Sequence, residues 1–153
     1  VLIAHVQVVA MAVAPRHRSL IGSIDHLHCS YVRVGAWLLA VGIITGSMWG
    51  ASSWGRYWGW DAKETWAAVT ILIYATVLHL RFIPALKSNF IYNVTATWAY
   101  STVLMTYFGV NYYLSGLHSY AAGDPVPIPM WVYYAVAGLF VLTLLAARNR
   151  KLS

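Results

Sequence analysis

The sequence predicts an all-α protein: a polytopic bundle of transmembrane helices with an external tryptophan-rich loop. Three observations carry that expectation. Of 153 residues, 60% are hydrophobic and only 9% charged, against about 25% charged in an ordinary soluble domain. Four apolar stretches approach the roughly 20 residues that cross a bilayer. Between the first two of these lies an unusually dense run of tryptophan and glycine. The length suggests one domain, so residues 1–153 are read as a single membrane domain.

The elements follow in order. Val1–Ala14 is apolar but short, covering about 21 Å at roughly 1.5 Å per residue, so it is the tail of a truncated span or a tilted one. The chain thus begins inside a helix, which points to a fragment, a processed product or a shortened form. No basic segment followed by a cleavage site is present, so no signal peptide is expected. Pro15–Ser30 reads as a polar, basic loop. The spans expected next are Val32–Trp49, Glu64–Phe82, Phe90–Leu114 and Met130–Ala147, giving about five helices with the first segment. Gly50–Lys63, Ile83–Asn89 and Ser115–Pro129 connect them; Pro125, Pro127 and Pro129 cannot continue a helix. There is no internal repeat.

The charges assign sides. Arg16, Arg18, Arg33, Arg81, Lys87, Arg148, Arg150 and Lys151 fall on one side with a single acid, Asp25. Arg56 and Lys63 fall on the other with Asp61, Glu64 and Asp124. Eight cations against two place the first side inside by the positive-inside rule. The tryptophan segment and the Ser115–Pro129 loop are then external, and the C-terminus cytoplasmic or stromal. The net charge of +6 forms no single basic stripe, so the expected partner is the lipid bilayer and not nucleic acid. A lone Cys29 leaves no disulfide framework, Cys-x-x-Cys pair or zinc site.

The segment GSMWGASSWGRYWGWDAKETW carries Trp49, Trp54, Trp58, Trp60 and Trp66 within 18 residues, with glycines interleaved. An interfacial aromatic belt is one reading. A belt spreads over all helix ends, however, and the ends near Ile83, Leu114 and Leu152 carry few tryptophans. A porphyrin, a flat apolar disc with two carboxylates, gives a better physical reason. Indoles offer wide stacking area, glycines admit close backbone approach, and the Arg56 guanidinium matches a propionate. Asp61 and Glu64 have the spacing of a capping box, with Asp61 as N-cap and Glu64 at N3; that structural role competes with a ligand role for Asp61.

Six histidines divide into two groups. His17, His26 and His28 lie in the basic inner stretch and read as solvated loop residues. His5, His79 and His118 lie in or beside apolar spans, where an ionisable residue is expensive and usually functional. The predicted topology places His5 and His118 on the tryptophan side, where two imidazoles can ligate heme iron axially. His79 lies near the inner end of its span, some 20 Å of helix away at ~1.5 Å per residue.

WGRYWGWDAKETW, followed by YATVLHLR, resembles the WWD motif of heme-handling proteins of cytochrome c biogenesis. YFGVNYYLSGLHSY is similar to the C-terminal signature of the CcsA/ResC branch. The resemblance covers about Ser30 to Tyr120. It implies membrane helices around an external site for heme b, with transport of heme from the inner to the outer side. It further implies iron ligation by His5 and His118, an inner membrane histidine at His79, and Trp49, Trp54, Arg56, Trp58, Trp60, Asp61 and Trp66 as the surrounding site. The implied partners are apocytochrome c and a CcsB/ResB-type membrane subunit. The implied home is the bacterial cytoplasmic membrane or the thylakoid membrane. Three departures stand out: the family's earlier helices are absent, the stretch from His5 to Tyr31 is shorter than usual, and Ala62 replaces the usual proline.

The expected function is presentation of heme for covalent attachment to apocytochrome c, with holocytochrome c synthase activity together with a partner subunit. No side chain is an obvious acid or base for thioether formation, so the expected work is orientation of the heme. A heme exporter or chaperone without that chemistry is the alternative. A heme-b electron-transfer subunit is a third, opposed by the lack of a span carrying two histidines.

Overall fold

The computed structural model describes residues 2–114, 116 and 127–149, the Arg18 side chain aside. Among these residues the structure is helical, with no strand. The helices are α1 (Leu2–Val13), α2 (Arg18–Trp54), α3 (Ala62–His79), α4 (Asn89–Leu104), α5 (Val110–Tyr113) and α6 (Met130–Asn149). A 3-10 turn (Leu80–Phe82) follows α3, and a π-helical turn (Met105–Gly109) joins α4 to α5. Three helical stretches, Ser19–Trp54, Ala62–Phe82 and Met130–Asn149, are long and apolar enough to cross a membrane. The protein is therefore an all-α membrane protein, as the composition predicts. Helices run where the spans starting at Glu64, Phe90 and Met130 are expected, but only the first and last of these are among the stretches long and apolar enough to cross a membrane; the second is broken by the π-turn.

Contacts divide the chain into two compact units. One comprises Val1–Val32, Val77–Trp98 and Pro127–Ser153; the other comprises Arg33–Thr76 and Ala99–Val126.

In the first unit, α1 packs on α6. Val8, Met11, Ala12, Ile21 and Ala146 are its buried apolar centre. Polar groups close the seams: Gln7 Nε2 donates to the Ile21 carbonyl at 2.9 Å, and Asn149 Nδ2 to the Ala12 carbonyl at 2.8 Å. The Trp98 indole N–H reaches Thr143 Oγ1 at 3.2 Å. Pro15 ends α1, since the residue before a proline is steered out of helical geometry. Ser88 begins α4 as its N-cap, its hydroxyl accepting the Ile91 N–H at 3.2 Å.

The expected Pro15–Ser30 loop is corrected here: helix α2 starts at Arg18 and runs 37 residues. The reason is a stripe of mixed chemistry. Ile21, Asp25, His28 and Val32 recur at helical spacing and are all buried. Two of the four are polar, so the stripe lowers mean hydropathy while still forming one helix face. At ~1.5 Å per residue α2 is about 55 Å long, more than the ~30 Å hydrocarbon core needs.

In the second unit, hydroxyls tie α3 to the π-turn. Thr106 Oγ1 lies 3.0 Å from Thr70 Oγ1 and 3.2 Å from the Trp66 carbonyl. Such short polar side chains join helices where lipid offers no competing partner.

Candidate functional site

The second unit contains the tryptophan segment, and most of that segment is helical. Trp49 and Trp54 belong to the last turns of α2, and Trp66 to the first turns of α3. Only residues 55–61 between them are non-helical. Gly55 ends α2 with φ +71°, a left-handed C-terminal cap, and its N–H bonds the Ala51 carbonyl at 3.0 Å. The capping box read from Asp61 and Glu64 is formed. Asp61 Oδ1 accepts the Glu64 N–H at 2.9 Å, and Glu64 Oε2 accepts the Asp61 N–H at 3.3 Å. Glu64 Oε2 also accepts the Gly59 N–H at 2.6 Å. Its carboxylate therefore pins the loop as well as the helix start. Asp61 has a clear structural task.

Within this frame a cleft of about 340 Å³ opens, at the small end of the ~300–1,000 Å³ range of ligand pockets. Its aromatic walls are Trp49, Trp54, Tyr57 and Trp58. Gly42 and Gly46, one turn apart on α2, present bare backbone to it, and a Cβ at either would meet nothing within 4 Å. Trp49 and Trp54 meet edge to face at 5.0 Å, as do Trp58 and Trp60 at 5.6 Å. The Trp58 Nε1 is buried with no hydrogen-bond partner among the described residues, although a buried indole N–H usually finds one. Trp60 stands at φ +57° and is 72% exposed. A bulky residue in the left-handed region costs on the order of 1–3 kcal/mol. An exposed ring on such a backbone is not explained by core packing.

Two cations behave differently from expectation. Arg56 is exposed and folds back over Gly59: a Cβ there would lie 2.4 Å from the guanidinium carbon. It does not line the cleft. Lys63, which sequence reasoning passed over, does. Its Nζ donates to Asn111 Oδ1 at 3.3 Å. Glu64 also lines the cleft, but its Oε2 holds backbone N–H groups.

The histidines are placed less completely. His5 sits half-buried on α1, and His79 is exposed at the last residue of α3; both belong to the first unit. His118 lies outside the described residues, with most of the Ser115–Pro129 loop and the tail cations Arg150 and Lys151.

His28 requires a correction. It is not a solvated loop residue but is 2% exposed within α2. Its Nδ1 bonds Asn93 Oδ1, and its ring meets Tyr92 edge to face at 5.8 Å. Asn93 Nδ2 donates to Asp25 Oδ1 at 2.6 Å. Asn93 thus presents its oxygen to His28, so the His28 Nδ1 carries the proton. Arg81 Nη2 bridges both Asp25 oxygens at 2.8 and 2.7 Å. The Arg81 guanidinium carbon also lies 4.3 Å from the Tyr92 ring centroid. This connected set was missed because each member was read alone; the 21–25–28–32 spacing was the available signal.

The fold and cleft define a class: a helical membrane protein with an aromatic, glycine-floored cleft between α2 and α3. Comparison with known proteins narrows it. The family model described as cytochrome C assembly protein matches residues 3–118. The chain is 49% identical over 119 residues to Protein NrfI of Wolinella succinogenes, covering 78% of this chain and 13% of that one. It is 38% identical over 110 residues to the cytochrome c biogenesis protein CcsA of Synechococcus elongatus, covering 72% and 34%. The CcsA protein of Porphyra purpurea matches at 38% over 110 residues with the same coverage. The chain belongs to the cytochrome c assembly protein family. It spans about a third or less of the length of these relatives.

Proposed function

We propose that this chain binds heme b in the Trp49–Trp58 cleft and presents it at the outer membrane face for covalent attachment to apocytochrome c. One observation carries the reading: four aromatic side chains wall a glycine-floored cleft beside an exposed Trp60 held on a strained backbone. Flat aromatic walls and bare backbone suit a flat apolar ring. Membership of a cytochrome c assembly family supplies the context.

The remaining assignments rest on sequence and topology. His5 and His118 would hold the heme iron, both on the tryptophan side by the sequence count of eight inner cations against two outer ones. His79 belongs to an inner heme-entry site, completed by residues of a longer chain or a CcsB/ResB-type subunit. Trp60 and Trp66 extend the aromatic surface around the cleft. The membrane is the bacterial cytoplasmic membrane or the thylakoid membrane, with the C-terminus cytoplasmic or stromal.

The protein's own residues supply stacking, iron ligation and exclusion of water. Their contribution is orientation of a reactive heme edge toward two thiols. Coexpression with an apocytochrome carrying a Cys-x-x-Cys-His segment tests this, together with the partner subunit. Heme-stained apocytochrome is expected with the wild-type chain and absent with Trp54→Ala/Trp58→Ala. Heme bound by the chain without transfer to the apocytochrome would favour an exporter or chaperone instead.

A further inference from the structure

We infer that Lys63, held by Asn111, is the residue that recognises a carboxylate of the ligand in the tryptophan cleft, in place of Arg56. The inference rests on the heme reading and names the group by which this cleft orients a porphyrin: a propionate.

Lys63 lines the cleft beside the indoles, half-buried, at the second residue of α3. Its Nζ donates to the neutral amide oxygen of Asn111 at 3.3 Å. The amide oxygen orients the ammonium without cancelling its charge. The neighbouring carboxylates are occupied: Glu64 Oε2 with the Gly59 and Asp61 N–H groups, and Asp61 Oδ1 with the Glu64 N–H. The ion pair found among the described residues, Arg81–Asp25, belongs to the other unit. A half-buried ammonium facing an apolar cleft attracts an anion more strongly than one in open water.

A second, independent feature points to the same place. Asn111 lies two residues beyond the π-turn Met105–Gly109, in α5. Such bulges rotate the residues beyond them and occur frequently at functional sites. At Gly109 the Met105 side chain folds close over the backbone, where a Cβ would meet its Sδ at 2.1 Å. The turn therefore sets the rotation at which Asn111 meets Lys63. Arg56, by contrast, is exposed and lies across Gly59.

The test compares hemin with its dimethyl ester, in which both propionates are masked. The full chain is purified in detergent and titrated with each by Soret absorbance. The wild type is expected to prefer hemin by roughly 10- to 100-fold, the usual range for a charge-assisted hydrogen bond. Lys63→Met should abolish the preference, Lys63→Arg should keep most of it, and Asn111→Leu should reduce it in part. Arg56→Met should leave it nearly unchanged. Equal affinity of the wild type for acid and ester would overturn the inference and leave the heme reading standing. So would loss of preference in Arg56→Met but not Lys63→Met. Failure of the wild type to bind either porphyrin would overturn the heme reading itself.

Discussion

The two units spend their polar residues in opposite ways. Around Asp25 the charges answer one another: the carboxylate meets Arg81 and Asn93, and Asn93 meets His28, although the Arg81 Nε and the Tyr92 hydroxyl are buried without a partner among the described residues. Asp25, His28 and Asn93 are each no more than 2% exposed. Around the tryptophans the partners are incomplete. An indole N–H is buried unpaired, an ammonium is held by a neutral amide, and Trp60 stands on strained backbone with its ring exposed. A charge met by its counter-charge is what folding needs inside a membrane protein. A charge held only by a neutral group beside a cleft is what a ligand site needs.

The contrast can be broken by substitution. The largest effect is expected from Asp25→Ala, which leaves Arg81 and the Asn93 amide without their anion. Removing one partner of a fully buried ion pair costs about 3–5 kcal/mol; with the Arg81 side chain 31% exposed, solvent screening brings the expected loss below that range. Melting followed by circular dichroism in detergent should show it. The double variant Asp25→Leu/Arg81→Met should be more stable than either single change, since no lone charge remains. Asn93→Leu comes next, at about 1–3 kcal/mol, because it orphans the His28 N–H and one bond to Asp25. Neither should change the heme affinity of the folded fraction. In the second unit, Asp61→Ala removes the α3 cap and should cost about 1 kcal/mol. The smallest effect on stability belongs to Trp60→Gly. Relief of left-handed strain, about 1–2 kcal/mol, is offset by loss of the Trp58 edge contact. Melting should therefore shift little while heme affinity falls; equal losses in both would erase the distinction drawn here.

Legibility followed the same division. The helices from Ala62, Asn89 and Met130 were readable because apolar runs and prolines marked them. The capping box was readable because Asp61 and Glu64 stand three apart before an apolar run. The first half of α2 was not, because a buried stripe containing Asp25 and His28 looks polar to any hydropathy window. Their partners lie 56 and 65 residues away, at Arg81 and Asn93. Long-range pairing of that kind leaves no local trace. At the cleft the tryptophans were visible by their density. The exchange of Arg56 for Lys63 was not, since it depends on a guanidinium folding over Gly59 and on a π-turn that moves Asn111.

The most direct measurement is a Soret titration of the purified chain with heme, wild type against Trp54→Ala/Trp58→Ala, with melting recorded on the same samples. Saturable binding by the wild type, weakened roughly 10- to 100-fold in the variant as two stacking contacts are lost, with little change in melting, is the predicted result. Unchanged affinity in the variant would contradict the assignment of this cleft to heme.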